Sequence, residues 1–404
     1  MKDSAKRDRV VNIRDIRKAA DEIGGFVHKT PLIHSHSFSA MTGAEVYLKA
    51  ENLQKTGSFK VRGAFHKLNS LGNKKVIAAS MGNHAQGVAF AAAKLGIPAK
   101  IVMPLSASIV KQEATKGYGA ELLLHGETFQ EALLYAQRQK DHVFIHAFDD
   151  EKIIAGQGTI GLEIVEDLKE IDTIMVPVGG GGLISGIAVA VKTLSPDTEI
   201  IGVQTASAVS AYASFREKKI MESVPSYTLA DGIAVGKVGD MTFDIIQRYV
   251  DDMMIVDENS IAMAILLFLE RKKLVVEGAG TVGLAALLEG KERFRGKRVV
   301  LVVSGGNIDF TLIDRIIHRG LVSSGRIGVF EVTVDDVPGQ LHTLTGIIAG
   351  QRGNIHGIVH DRLAPGLSVV ETKVVFTVES RGKEHLNEII SAIRTKGFTT
   401  RSIP

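Results

Sequence analysis

Lys60 stands in the run Thr56-Gly57-Ser58-Phe59-Lys60-Val61-Arg62-Gly63. An amine of this kind attacks an aldehyde only after losing its proton. Thr56 or Ser58 is expected to cap a helix running toward Leu68, which puts Lys60 on the first turn, where the helix dipole disfavours a cation. The plain alternative is a surface lysine near a helix start. A second signal is Pro177-Val178 followed by Gly179, Gly180, Gly181, Gly182 and Leu183, at a strand-to-helix junction. Four glycines let backbone N–H groups close on an anion at a helix N-terminus, so this loop reads as a phosphate cradle rather than a merely flexible turn. A nicotinamide cofactor could use such a loop, but the next strand ends at Gln204, where an acidic ribose ligand is wanted. A nucleotide-hydrolysing loop needs a lysine and a hydroxyl after its last glycine, and neither is present.

A third junction carries Ser80-Met81-Gly82-Asn83-His84-Ala85-Gln86-Gly87. Ser80, Gly82, Asn83 and His84 bring hydroxyl, amide and backbone donors suited to a carboxylate or a ring hydroxyl. His84 has two readings, a catalytic base or a packed or capping residue. The fourth signal is Ser304-Gly305-Gly306-Asn307 at a strand exit. Ligands of open α/β sheets sit beyond the carboxyl ends of the strands, so four such exits can share one crevice.

The elements that must position these residues are legible in the pattern. Lys75–Ser80, Ala99–Pro104, Glu121–His125, Thr173–Val178, Glu199–Thr205 and Arg298–Ser304 read as strands. Ala85–Leu95, Phe129–Lys140, Leu183–Leu194 and Ser260–Lys273 read as helices between them. This is the order of βα units and parallel sheets. A linker is expected at 321–328, after which the texture changes to strand 329–334, helix 339–351, strands 355–361 and 368–378, helix 383–395 and a last short strand, a ferredoxin-like βαββαβ pattern. With 404 residues, 45% apolar and 23% charged, the chain is long enough for more than one domain. Ile261–Leu269, its longest apolar stretch, is too short for a membrane span, and the charged start Met1–Val11 lacks the apolar core of a secretory signal. A cytoplasmic protein is expected. The absence of cysteine excludes disulfides, thiolate nucleophiles and Cys-ligated zinc; no other metal site is assigned. A net charge of +3 with interspersed signs gives no nucleic-acid footprint.

Taken together, the four motifs resemble the serine and threonine dehydratases of the fold-type II (tryptophan synthase β-like) pyridoxal 5'-phosphate enzymes, over about residues 10–320. The resemblance implies a catalytic region of two parallel-sheet subdomains spanning 1–322, the smaller one, about 55–152, inserted in the larger. It implies pyridoxal 5'-phosphate as cofactor, held by Lys60 through an imine, with Phe59 packed on its ring, Asn83 on its hydroxyl, Gly179 to Leu183 on its phosphate and Ser304 facing the ring nitrogen. Ser80, Gly82, Asn83 and His84 would take the carboxylate of an amino-acid substrate. Water would be eliminated from L-threonine, giving 2-oxobutanoate and ammonia, or from L-serine, giving pyruvate. Serine racemases of the family have a serine at the position of Met81, whose thioether cannot donate a proton. Glu277 is expected beside the ring, although Gly278 stands where related dehydratases often have proline.

Residues 328–404 resemble an ACT regulatory domain through Asp335-Asp336-Val337-Pro338-Gly339-Gln340-Leu341. Pro338 and Gly339 are the candidate regulatory positions. The resemblance implies an amino-acid or nucleotide effector, isoleucine, valine or AMP, and a homotetramer or homodimer; domain pairing alone is the alternative.

Overall fold

A computed structural model describes residues 11–403, the side chain of Val110 excepted. The charged stretch Met1–Val10 lies outside the described residues. The chain divides into two units, Met1–Ile308 and Asp309–Pro404.

In chain order the strands of the first unit are β1 (Leu32–His34), β2 (Glu45–Ala50), β3 (Val76–Ala79), β4 (Ala99–Met103), β5 (Glu121–Leu124), β6 (Val143–Phe144), β7 (Thr173–Pro177), β8 (Glu199–Thr205), β9 (Asp252–Val256) and β10 (Arg298–Val303). They form a six-stranded sheet in the order β1-β2-β10-β7-β8-β9 and a four-stranded sheet in the order β5-β4-β3-β6. All pairings are parallel except β1 with β2. The centre of the larger sheet is β7, buried at every position, as its continuous apolar run requires when helices cover both faces. One core surrounds this sheet, with Ile174, Val176, Ile187 and Val300 in it; a second lies on the smaller sheet, with Val61, Phe65, Val76 and Val88. Every strand read from the sequence of this unit forms, with ends within one residue of expectation.

Two local expectations fail. The helix read over 260–273 is an α-helix only over Glu258–Leu267; it widens into a π turn, Phe268–Lys272, and stops at Lys273, whose φ is +57°. The linker read at 321–328 shrinks to a turn over 324–326, since the helix Phe310–Ser323 runs into its start and the next strand begins at Ile327. Ile313 and Ile316, one helical turn apart, bury the inner face of that helix, and the small residues after Val322 only end it. The two units part at 308/309, before this helix rather than after it.

The second unit comprises β11 (Ile327–Asp335), the helix Gln340–Gly350, β12 (Asn354–Asp361), β13 (Glu371–Glu379), the helix Lys383–Thr395 and β14 (Thr399–Ile403). Its antiparallel sheet has the order β12-β13-β11-β14, the ferredoxin-like arrangement that the pattern predicts. Alternate residues of β11 and β13 face a core in which Phe330 stacks on Phe376 at 5.8 Å. Among the described residues no helix is long and apolar enough to cross a membrane.

Candidate active site

The carboxyl ends of β3, β6, β7 and β10 open on one cavity of about 1010 Å³. Phe59, Lys60, Ser80, Gly82, Asn83, His84, Gly179, Gly180, Gly181, Gly182, Leu183, Glu277 and Ser304 all line it. Residues from separate stretches of sequence therefore meet at one place. Pro338 and Gly339 belong to the second unit, on an exposed turn.

Lys60 is the first residue of the helix Lys60–Asn69. Its cap differs from expectation: Phe59 occupies the N-cap position with helical backbone angles, and no side chain caps the helix. The chain enters through a bridge between Ser58 and Gly305, reinforced by Phe59 N–H donating to the Ser304 carbonyl at 3.1 Å. That pairing fixes the backbone in place of a capping turn, and the hydroxyls of Thr56 and Ser58 are left buried without a partner. Burial lowers the Lys60 amine to about 8, with the Glu277 carboxyl pulling the other way. Its Nζ donates to the Ala147 carbonyl at 3.0 Å and lies 5.2 Å from the centre of the Phe59 ring.

The helix bearing Lys60 is held from behind. A Cβ on Gly156 would sit 2.6 Å from the Gly63 Cα, so the helices Lys60–Asn69 and Glu151–Asp167 touch backbone to backbone. Arg62, fully buried, forks onto Glu51 (2.8 and 2.7 Å) and onto Glu163 (2.6 and 3.0 Å), while Lys49 Nζ meets Glu163 at 2.6 Å. Two cations thus face two carboxylates. Burial pushes the Glu51 carboxyl up, but the Arg62 charge and its hydrogen bonds win and hold it below its usual range.

His84 takes the packed reading. It is buried, and its Nε2 faces the Ile145 carbonyl at 3.0 Å; a carbonyl only accepts, so Nε2 carries a proton. Burial, with the Lys60 charge adding to it, pushes the ring down to about 3 and keeps it neutral.

The tetraglycine turn is enclosed. Gly181, at φ +96°, caps the helix Gly182–Leu194 without a side-chain bond, leaving the helix N–H groups to the cavity. A Cβ on Gly180 would overlap the Phe148 ring, and one on Gly181 would stand 2.8 Å from Thr242 Oγ1. Thr242 Oγ1 donates to the Gly180 carbonyl at 2.7 Å. The Asp149 carboxylate accepts from the N–H groups of Asp240, Met241 and Thr242 at 3.1, 3.1 and 3.2 Å, fixing the helix that carries Thr242. Sequence reading misses Phe148, Asp149 and Thr242. Asp149 caps a helix ninety-one residues away, and such a cap leaves no local spacing to read.

Opposite this turn runs a chain of amides. Asn307 Nδ2 donates to the Thr56 carbonyl at 2.9 Å and to Asn83 Oδ1 at 2.7 Å, and Asn83 Nδ2 donates to both Glu277 oxygens at 2.8 and 3.0 Å. Burial pushes the Glu277 carboxyl up to about 8, against the pull of the Asn83 bond.

An aldehyde for a low-proton-affinity amine, a phosphate for a glycine turn that admits no Cβ, and a ring flanked by polar groups are the three things this cavity is shaped to take. Pyridoxal phosphate offers all three. The residues present fit that group. The chain belongs to the pyridoxal-phosphate dependent enzymes, whose family description matches residues 23–305. It is 47% identical over 401 residues to the L-threonine ammonia-lyase of Thermotoga maritima, covering 98% of this chain and 100% of that protein. Among solved structures it resembles the processed form of threonine deaminase isoform 2 from Solanum lycopersicum (35% identity, TM-score 0.71, 77% of this chain and 95% of that one) and maize serine racemase (36% identity, TM-score 0.73, 78% and 98%).

Proposed function

We propose that the protein eliminates water from L-threonine, giving 2-oxobutanoate and ammonia, and acts on L-serine in the same way to give pyruvate. The observation that carries the reading is the half-buried Lys60 amine, lowered to about 8, lining one cavity with the glycine turn. When bound there, pyridoxal phosphate supplies the electron sink that makes a substrate α-proton acidic.

The chain's own residues do the rest. Lys60 Nζ, once free of its proton, holds the cofactor and then takes the α-proton. Gly179 to Leu183 would hold the phosphate with backbone N–H groups, and Phe59 would pack on the ring. Ser304 would face the ring nitrogen with a hydroxyl, which does not oblige that nitrogen to be protonated, and Asn83 would meet the ring hydroxyl with Glu277 behind it. Ser80, Gly82, Asn83 and His84 bind the carboxylate at the start of the helix Asn83–Leu95, whose first N–H groups no side chain caps.

Serine racemisation is the competing reading, favoured by the likeness to the maize enzyme. Met81 lines the cavity beside Ser80, and a thioether offers no proton to the second face of a substrate. We also propose a cytoplasmic setting, and a homotetramer or homodimer whose ACT-like C-terminal unit answers to isoleucine, valine or AMP at Pro338 and Gly339. The test is to assay 2-oxobutanoate and pyruvate release from threonine and serine, each with and without those effectors, alongside D-serine formation. Release of 2-oxobutanoate supports the reading; D-serine as the main product, with no 2-oxo acid from either substrate, overturns it.

A further inference from the structure

His146 follows β6 at the edge of the cavity. Its Nδ1 accepts from two backbone N–H groups, those of Asp149 at 2.8 Å and Phe148 at 3.3 Å. A ring nitrogen that accepts carries no proton, so the proton of the neutral imidazole sits on Nε2. The ring is held by edge contacts with Phe148 at 4.7 Å and Phe144 at 6.1 Å between centroids. Among the described residues no protein group takes up the Nε2–H, and the side chain is only partly buried because it borders the cavity. This is an oriented donor whose partner is not part of the protein.

Its surroundings indicate what that partner is. On one side β6 pairs with β3, and β3 leads into Ser80–His84; His84 donates to Ile145, the residue next to His146. On the other side Phe148 walls the glycine turn and Asp149 anchors the helix that supports it. The next residue, Ala147, takes the Lys60 amine. His146 therefore shares one cavity wall with Ser80–His84 and the glycine turn, one residue from the carbonyl that takes the Lys60 amine. A β-hydroxy amino acid held by its carboxylate and its amine has one further polar group to meet that donor, the β-hydroxyl.

We propose that His146 is a substrate-binding residue whose Nε2–H donates a hydrogen bond to the departing β-hydroxyl, an inference that rests on the dehydratase reading above. It is a donor and not the source of the proton, which is the α-proton taken by Lys60 Nζ and passed to the leaving oxygen as water departs: giving up Nε2–H would leave an imidazolate, because Nδ1 is already occupied by two N–H groups. Burial, with the Lys60 charge adding to it and Asp149 and Asp150 opposing, keeps the ring below its ordinary value, so the neutral form persists.

Two substitutions separate the two nitrogens. In His146→Asn the amide oxygen replaces Nδ1 and the cavity donor is lost; in His146→Gln the amide nitrogen replaces Nε2 and the turn acceptor is lost. Both are compared with the parent holoenzyme on L-threonine and on 3-chloro-L-alanine, whose chloride leaves without a hydrogen-bond donor, and cofactor affinity is titrated by fluorescence. The expected result for His146→Asn is parental cofactor affinity, a parental rate on chloroalanine, and a kcat/KM on threonine lower by about tenfold or more. His146→Gln keeps the parental ratio between the two substrates even if its absolute rates fall. Equal loss on both substrates in His146→Asn, or no loss on threonine, overturns the assignment; should that variant not fold, a lowered threonine-to-chloroalanine ratio in His146→Gln does so. A parent that releases no 2-oxo acid from threonine but does so from chloroalanine overturns the dehydratase reading itself, and this inference with it.

Discussion

The molecule uses one backbone device twice. Gly181 and Gly339 both follow a strand, both take left-handed angles (φ +96° and +98°), and both start a helix without a side-chain cap. Around Gly181 there is no room: Phe148, Thr242 and Ile246 stand where side chains would go. Around Gly339 a Cβ would meet nothing within 4 Å, and Asp335–Gly339 is exposed throughout. The helix N-terminus is the same in both, so its dipole is not what sets the first turn apart from the second. Enclosure is, because the attraction of an N–H cluster for an anion strengthens as water is removed.

If enclosure is the deciding difference, it must show first in the amine that shares the first cavity. Loading of the apoenzyme needs neutral Lys60, so its rate should rise about tenfold per pH unit below 8 and level off above it. A stopped-flow pH series that kept climbing toward the ordinary lysine value of 10.5 would mean that the amine is not desolvated. Next in size is Gly180→Ala, whose methyl group meets the Phe148 ring; overpacking of about 1–3 kcal/mol should weaken cofactor binding by about tenfold or more. The same change at Gly339 has space but not the right backbone angle. It should cost about 1–2 kcal/mol of stability, read as a lower melting midpoint, with parental threonine turnover when no effector is present. Smallest is Asp149→Ala, which frees three helix N–H groups behind the Gly180 carbonyl. About 1 kcal/mol of lost capping should appear as a severalfold weaker hold on the cofactor and no change at the Gly339 turn.

Much of the fold is legible in the sequence for a physical reason. Parallel strands buried on both faces are written as continuous apolar runs, so β7, β8 and β10 can be placed nearly to the residue. Motifs at strand exits follow from such strands, which is why Asn83, the glycine turn and Ser304 can be named, while Lys60 is named from its own run of residues. The cap of the Lys60 helix cannot, because the backbone bridge from Ser58 to Gly305 joins residues far apart in sequence, while hydroxyl caps are a local expectation. Asp149, Thr242 and His146 are invisible for the same reason: each acts through a partner fixed by packing rather than by spacing. The segment 321–328 passes for a linker because Ser, Ser and Gly look alike at a helix end and in a connection.

The central claim is that residue 60 carries the cofactor and moves the α-proton. The direct measurement is on purified Lys60→Ala, supplied with pyridoxal phosphate and gel-filtered: its visible absorbance and its release of 2-oxobutanoate from threonine. Loss of both, in a protein that still melts cooperatively, is the predicted result; a variant that keeps the absorbance band and turns over threonine at the parent rate would contradict it.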